Sequence, residues 1–239
     1  MTILSIDTST RVCSAAIAVD GKTIASRINR EDGNHARQLP VFVDELLAEL
    51  RSRKLSLDAV ALSEGPGSYT GLRIGAGIAK GLCYGLNIPL VPIATTEVLC
   101  ASLLTQKALL QPCYLIPMID ARRMEVYTAF YRYNDDRLTL QSAIEARVIS
   151  SAADIDFGQS PDEPVYFFGD GAAKCEALIP SKTAGFIDNI VPDAASMDSL
   201  ALEHYKADST RRTPTELAYY EPFYLKQFVA AQSHVKGLN

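Results

Sequence analysis

Two short polar runs hold the residue types that handle a phosphate. Asp7-Thr8-Ser9 closes the first apolar segment of the chain, and Gly169-Asp170-Gly171 closes a later one. A carboxylate with hydroxyls at a strand end suits a metal-phosphate site, while glycine turns and helix N-termini present backbone N–H groups to an anion. Held face to face, the runs would grip a nucleotide such as ATP or ADP at a boundary between lobes. Each also reads as an ordinary capped turn. The glycine-rich run SEGPGSYTGLRIG, residues 63–75, is not a Walker-type phosphate loop, because no Gly-Lys-Ser/Thr follows its glycines.

Other chemistries are poorly served. The three histidines, His35, His204 and His234, are far apart and form no i, i+4 pair for zinc. The GxSxG nucleophile signature is missing, and five cysteines without a CxxC indicate neither a disulfide framework nor a zinc knuckle. Asp120, Arg122, Arg123 and Glu125 form a charged cluster that would bind an anion or serve as an interlobe salt-bridge network, the structural role being favoured.

The elements that must position these residues alternate regularly. Thr2–Ile6, Cys13–Val19 and Thr23–Ile28 read as three strands, the last two joined by the hairpin signal Asp20-Gly21. A helix follows from Asn34, its candidate cap, to Arg53, with Pro40 disturbing its first turns and Val41, Leu46, Leu47 and Leu50 as its apolar stripe. Strands at 57–62 and 88–93 and helices at 71–87 and 96–104 complete the first part. The pattern then restarts: strands at 114–119, 124–133 and 138–147, another at 165–168, a short helix to Ile179, a strand at 186–191, a helix at 196–206, and a helix or extended tail from Glu216. Two three-strand openings, each followed by helix-strand alternation, predict a duplicated α/β architecture with lobes at 1–105 and 106–239, the last helix packing back on the first lobe.

The helix after the glycine turn is unusual. At about 100° per residue, Gly71, Leu72, Ile74, Gly75, Ile78, Gly81, Leu82 and Gly85 fall on one continuous arc with Gly77 and Ala79. Each interior glycine costs roughly 1 kcal/mol relative to alanine, so the arc needs a compensating close contact. That contact is the chain's own sheet, a second copy or another subunit.

With 48% hydrophobic residues and a net charge of −5 over 239 residues, the chain is globular and lacks a broad electrostatic footprint for nucleic acid. Any RNA contact is local or carried by a partner. The N-terminus shows no basic segment ahead of an apolar run, and no apolar run reaches membrane-spanning length, so no membrane association and a cytoplasmic location are expected.

ILSIDTST, SEGPGSYTGLRIGAGIAKGL, DARRMEVY, FFGDGA and EPFYLK occur in the order in which similar segments occur in the TsaB (YeaZ) family, and the resemblance covers nearly the whole chain. It implies an actin-like ATPase fold of the ASKHA, ribonuclease H-like class. It implies a non-catalytic scaffold or activating subunit for N6-threonylcarbamoyladenosine (t6A) at tRNA position 37. The partners implied are the catalytic paralogue TsaD and the ATPase TsaE, with a homodimer when the chain is alone and tRNA met only through the complex. Pairing in such chains uses the helices here placed at 35–53 and 71–87.

TsaD-like chains carry an NHxEGH segment whose two histidines bind metal. Thr95 and Leu99 stand at the corresponding positions here, and leucine is no ligand. The later Asp-Asn-Gly is replaced by Pro192-Asp193-Ala194-Ala195. No metal site and no catalytic residue are therefore expected, and no cofactor is required by the chain itself. The alternative function is a kinase or ATPase working in the interlobe cleft; a metallopeptidase lacks its ligand pair.

Overall fold

The computed structural model describes residues 1–31, 34–155, 162–179, 184–207 and 211–226. β1 (Thr2–Asp7), β2 (Cys13–Val19) and β3 (Lys22–Asn29) form an antiparallel meander, and β4 (Ala59–Gly65) and β5 (Leu90–Ala94) extend it in parallel in the order β3-β2-β1-β4-β5. Asp20 and Gly21 take left-handed conformations, φ 50° and 75°, at the tight turn between β2 and β3. α1 (His35–Ser52), α2 (Tyr69–Leu86) and α3 (Thr95–Gln106) fill the connections.

The second sheet repeats this plan. β6 (Cys113–Asp120) is antiparallel to β7 (Glu125–Thr128), β7 is antiparallel to β10 (Glu145–Val148), and β6 is parallel to β11 (Val165–Phe168), which is parallel to β12 (Ala184–Ile187). The order β10-β7-β6-β11-β12 therefore matches strand for strand the order of the first sheet. The duplicated α/β architecture is thus present as a repeat of topology. β8 (Tyr131–Asn134) and β9 (Arg137–Leu140) add a hairpin paired to β6.

Where the elements differ from expectation, the backbone gives the reason. The single strand expected at 124–133 is two. Met118 pairs with Thr128 and Leu115 with Tyr131, in one continuous register, but Pro117 between them has no N–H to give and the ladder breaks. The strand expected at 138–147 likewise divides into β9 and β10. The strand expected at 186–191 ends at Ile187, before a turn with Asn189 at φ 63°. The helix expected before Ile179 is a 3-10 run, Ala173–Leu178.

In α1 the buried stripe is Leu39, Val43, Leu46 and Leu50, while Val41 is 51% exposed and Leu47 half-buried. Asn34 precedes the helix in a left-handed conformation and makes no side-chain cap. α4 (Asp198–Lys206) and the 3-10 turn Ala194–Met197 lie on the first sheet, with Met197 and Ala201 packed among Ile3, Val91 and Ile93. Leu99, Cys100 and Leu103 of α3 share one core with Cys113, Leu115 and Phe168 of the second sheet.

From Glu216 there is one 3-10 turn, Leu217–Tyr219, and then extended chain to Lys226; residues 227–239 lie outside the described part. Arg212 exchanges two backbone hydrogen bonds with Leu90, Leu217 and Tyr220 enter the core under α1 and α2, and Phe223 N donates to Glu64 O at 2.8 Å. Lys226 then reaches across to pair with Glu125 of the second lobe. Among the described residues, no helix is long and apolar enough to cross a membrane.

Candidate functional site

Asp7, Thr8 and Ser9 are fully buried at the end of β1. Ser9 donates from its amide and its hydroxyl to the Asp7 carboxylate, the hydroxyl at 3.0 Å from Oδ2. Burial pushes the Asp7 carboxyl up to about 6, against hydrogen bonds from Ser63 and Ser9 that pull it down. The glycine-rich turn and the start of α2 sit directly on this loop. Ser68 N donates to Ser9 O at 2.6 Å, and Thr8 Oγ1 donates to Gly71 O at 2.8 Å. A Cβ on Gly67 would lie 2.2 Å from Ser9 O, and one on Gly71 2.0 Å from Thr8 O. The Thr8 hydroxyl is thus spent on α2 and the Ser9 amide and hydroxyl on Asp7, an arrangement that does not fit a phosphate cradle at this strand end.

In the second lobe, Gly169 takes φ +101° beside Met118, Gly171 N donates to Met118 O at 2.9 Å, and Asp170 Oδ1 accepts from Asp120 N at 2.9 Å. Burial raises the Asp170 carboxyl, against the hydrogen bond from the Asp120 amide and the charge of Arg11, which pull it down. Arg11, four residues beyond Asp7, is thus the charge from the first run's loop that acts on the second run. The nearby charged cluster divides into two ion pairs and two exposed arginines. Asp120 pairs with Lys174 and Glu125 with Lys226, while Arg122 and Arg123 stand exposed with left-handed backbones at φ 72° and 50°.

The two positions, Thr95 and Leu99, at which the sequence resemblance would put metal-binding histidines belong to the core. Thr95 is fully buried and shares a 2.9 Å hydrogen bond with Ser63, and Leu99 packs in the core between the lobes. Thr96 beside them shares a 2.8 Å hydrogen bond with Tyr131 of the second lobe. His35 Nε2 donates to Thr10 O at 2.9 Å, and His204 Nε2 donates to Glu97 at 3.1 Å; His234 lies outside the described residues. No group of three metal-ligating side chains occurs among the described residues. All five cysteines are buried, and burial pushes the Cys83 thiol up to about 12.

The arc on α2 divides in two. Gly71, Leu72 and Gly75 face inward with Ala76, Ala79 and Cys83, and a Cβ on Gly75 would meet Thr8 Oγ1 at 2.4 Å. These glycines let the helix approach β1. Ile74, Ile78 and Leu82 form a half-buried row beside α1, and next to them Gly77, Gly81 and Gly85 open to solvent, with nothing within 4 Å of a Cβ on any of the three. The helical phase distinguishes these groups once Ala76, Ala79 and Cys83 are placed with the inner residues. On the other flank of α2, segment 218–226 encloses an open groove of about 950 Å³. The tail expected from Glu216 thus returns to the first lobe as extended chain, while no periodicity in EPFYLK announces the groove it makes with α2.

A family model described as TsaD, tRNA N6-adenosine threonylcarbamoyltransferase, matches residues 23–231. The tRNA threonylcarbamoyladenosine biosynthesis protein TsaB of Bacillus subtilis (strain 168) is 30% identical over 226 residues, which cover 92% of this chain and 96% of that protein. The protein of the same name from Escherichia coli (strain K12) is 32% identical over 136 residues, 57% of each chain. Among solved structures, YeaZ from Pseudomonas aeruginosa superposes with a TM-score of 0.77 at 25% identity, over 94% of this chain and 99% of that one.

Proposed function

Because this chain belongs to the TsaB (YeaZ) family of tRNA threonylcarbamoyladenosine biosynthesis proteins, we propose that it is the non-catalytic scaffold and activating subunit for t6A at tRNA position 37, binding a TsaD-like catalytic paralogue through α2. The observation that carries this reading is the outer stripe of α2. Gly77, Gly81 and Gly85 leave backbone open beside the half-buried Ile74, Ile78 and Leu82. Glycines exposed in a helix interior destabilise it and gain nothing within the chain, whereas a helix packed across them recovers dispersion along the whole row. Val41 on the neighbouring helix α1 is also exposed. In the absence of the paralogue the same face pairs two copies of the chain, a TsaE-like ATPase joins the heterodimer, and tRNA is met in the assembly, in the cytoplasm.

Loss of catalysis is supported by Thr95 and Leu99, whose side chains are committed to the core. A kinase or ATPase reading has less support, since Thr8 and Ser9 are engaged by the glycine turn. ATP or ADP, where it binds, belongs at the lobe or subunit boundary near Arg11 and Gly169-Asp170-Gly171.

Gly81→Arg tests the interface, because the open space at Gly81 accepts a side chain without disturbing the fold. Calorimetric titration with the TsaD-like partner should show binding lost while the melting temperature is kept. Unchanged affinity would refute the assignment of this face.

A further inference from the structure

A chain with net charge −5 leaves RNA contact to local features, and the groove between α2 and segment 218–226 has the composition of one. Tyr69 packs against Tyr224 with ring centroids 4.9 Å apart, and Arg73 lies over the Tyr69 ring at 5.3 Å. Arg73 also donates to the Tyr69 hydroxyl at 3.3 Å, and Lys80 donates to the Tyr220 carbonyl at 3.0 Å. These hydrogen-bond partners are neutral; Glu221 is the one carboxylate in the lining, against Arg73, Lys80 and Lys226. Tyr219, at the opposite wall, is 90% exposed.

We infer that this groove binds a single-stranded segment of RNA, with a base stacked on Tyr219 and backbone phosphates on Arg73 and Lys80. The inference rests on the tRNA-linked function proposed above and gives the substrate a surface on this subunit. An exposed phenol ring, Tyr219, beside Arg73 and Lys80 is what sequence-tolerant single-strand binding uses, since every base has a π-face and every linkage a charge. An acidic peptide would use the cations but has no need of a bare ring.

The test uses the full chain, alone and assembled with its catalytic partner, and a fluorescently labelled unmodified tRNA transcript in an anisotropy titration over a range of salt. Tyr219→Ala removes only an exposed ring and should weaken RNA binding about tenfold with the salt slope kept. Arg73→Gln should lower the slope of log affinity against log salt by about 0.7, the value for one single-strand phosphate contact. Unchanged affinity in Tyr219→Ala together with an unchanged slope in Arg73→Gln overturns the proposal. So does displacement of the RNA by polyglutamate as effective as displacement by unlabelled RNA, which would assign the groove to an acidic peptide. Titration of the same variants with the TsaD-like partner separates the two readings. If the wild-type chain fails to bind the partner, the scaffold function falls, while the anisotropy result still decides the groove.

Discussion

Gly75 faces Thr8 so closely that a Cβ on the glycine would lie 2.4 Å from the threonine hydroxyl, whereas Gly81, less than two turns further along α2, has nothing within 4 Å of that position. Two glycines of one helix therefore answer to different constraints, one to the fold and one to the surface.

Alanine at the two positions should act in opposite directions. Gly75→Ala forces α2 away from β1, and overpacking of this kind costs about 1–3 kcal/mol. Gly81→Ala meets open space and removes a helix-interior glycine, which stabilises by about 1 kcal/mol. Urea denaturation of both variants checks the signs, and equal shifts would contradict the geometry.

The buried Asp7 carboxyl gives acid-side stability a definite direction. Its folded-state value of about 6 lies above the ordinary carboxylate value, so the folded chain binds more protons than the unfolded chain between roughly pH 4 and pH 6. Its contribution is fully present below that window and is lost as pH rises through about 6. Asp198, held by Ser5 and Thr23 and also pushed up to about 6 by burial, acts in the same sense. Asp7→Asn should raise the melting temperature at pH 8 and leave it nearly unchanged at pH 4, as scanning calorimetry at both pH values would show.

His204 responds in a related way from α4. Its hydrogen bond to Glu97 raises the imidazole above its ordinary value, with burial opposing. The raised value means that the pair stabilises the fold fully below the unfolded histidine range and ceases to do so as pH rises through the folded value. Glu97→Gln should lower the His204 titration midpoint by NMR and reduce stability near pH 6 by about 0.5–1 kcal/mol, with little effect near pH 9.

The cysteines offer a check on packing. All five are buried, and burial raises the thiols, Cys13 to about 11 and Cys83 to about 12. Thiolate is the reactive form, so the native chain should resist a disulfide reagent at pH 8 and release five equivalents on denaturation. Rapid labelling of the native chain would show that the core opens far more readily than its packing implies.

The sequence carried the repeat of strands because alternating residues and the Asp20-Gly21 turn act locally. It did not carry the break at Pro117, which depends on which strand lies opposite. The arc on α2 was legible as a face, but its depth was not: Gly71 and Gly75 are distinguished from Gly77, Gly81 and Gly85 by the position of Thr8, a residue far away in sequence. The same holds for the charged cluster, where the partners of Asp120 and Glu125, Lys174 and Lys226, come from elsewhere in the chain.

Segment 211–226 also bears on the order of events at the ribosome. The strands of the first sheet are complete once residue 94 has been translated, yet Leu217 and Tyr220 supply part of the core under α2, and Lys80 receives its carbonyl from Tyr220, 140 residues later. A nascent chain thus seats α2 on the Thr8 loop and the first sheet before Leu217 and Tyr220 reach it, and contacts so distant in sequence close late in folding.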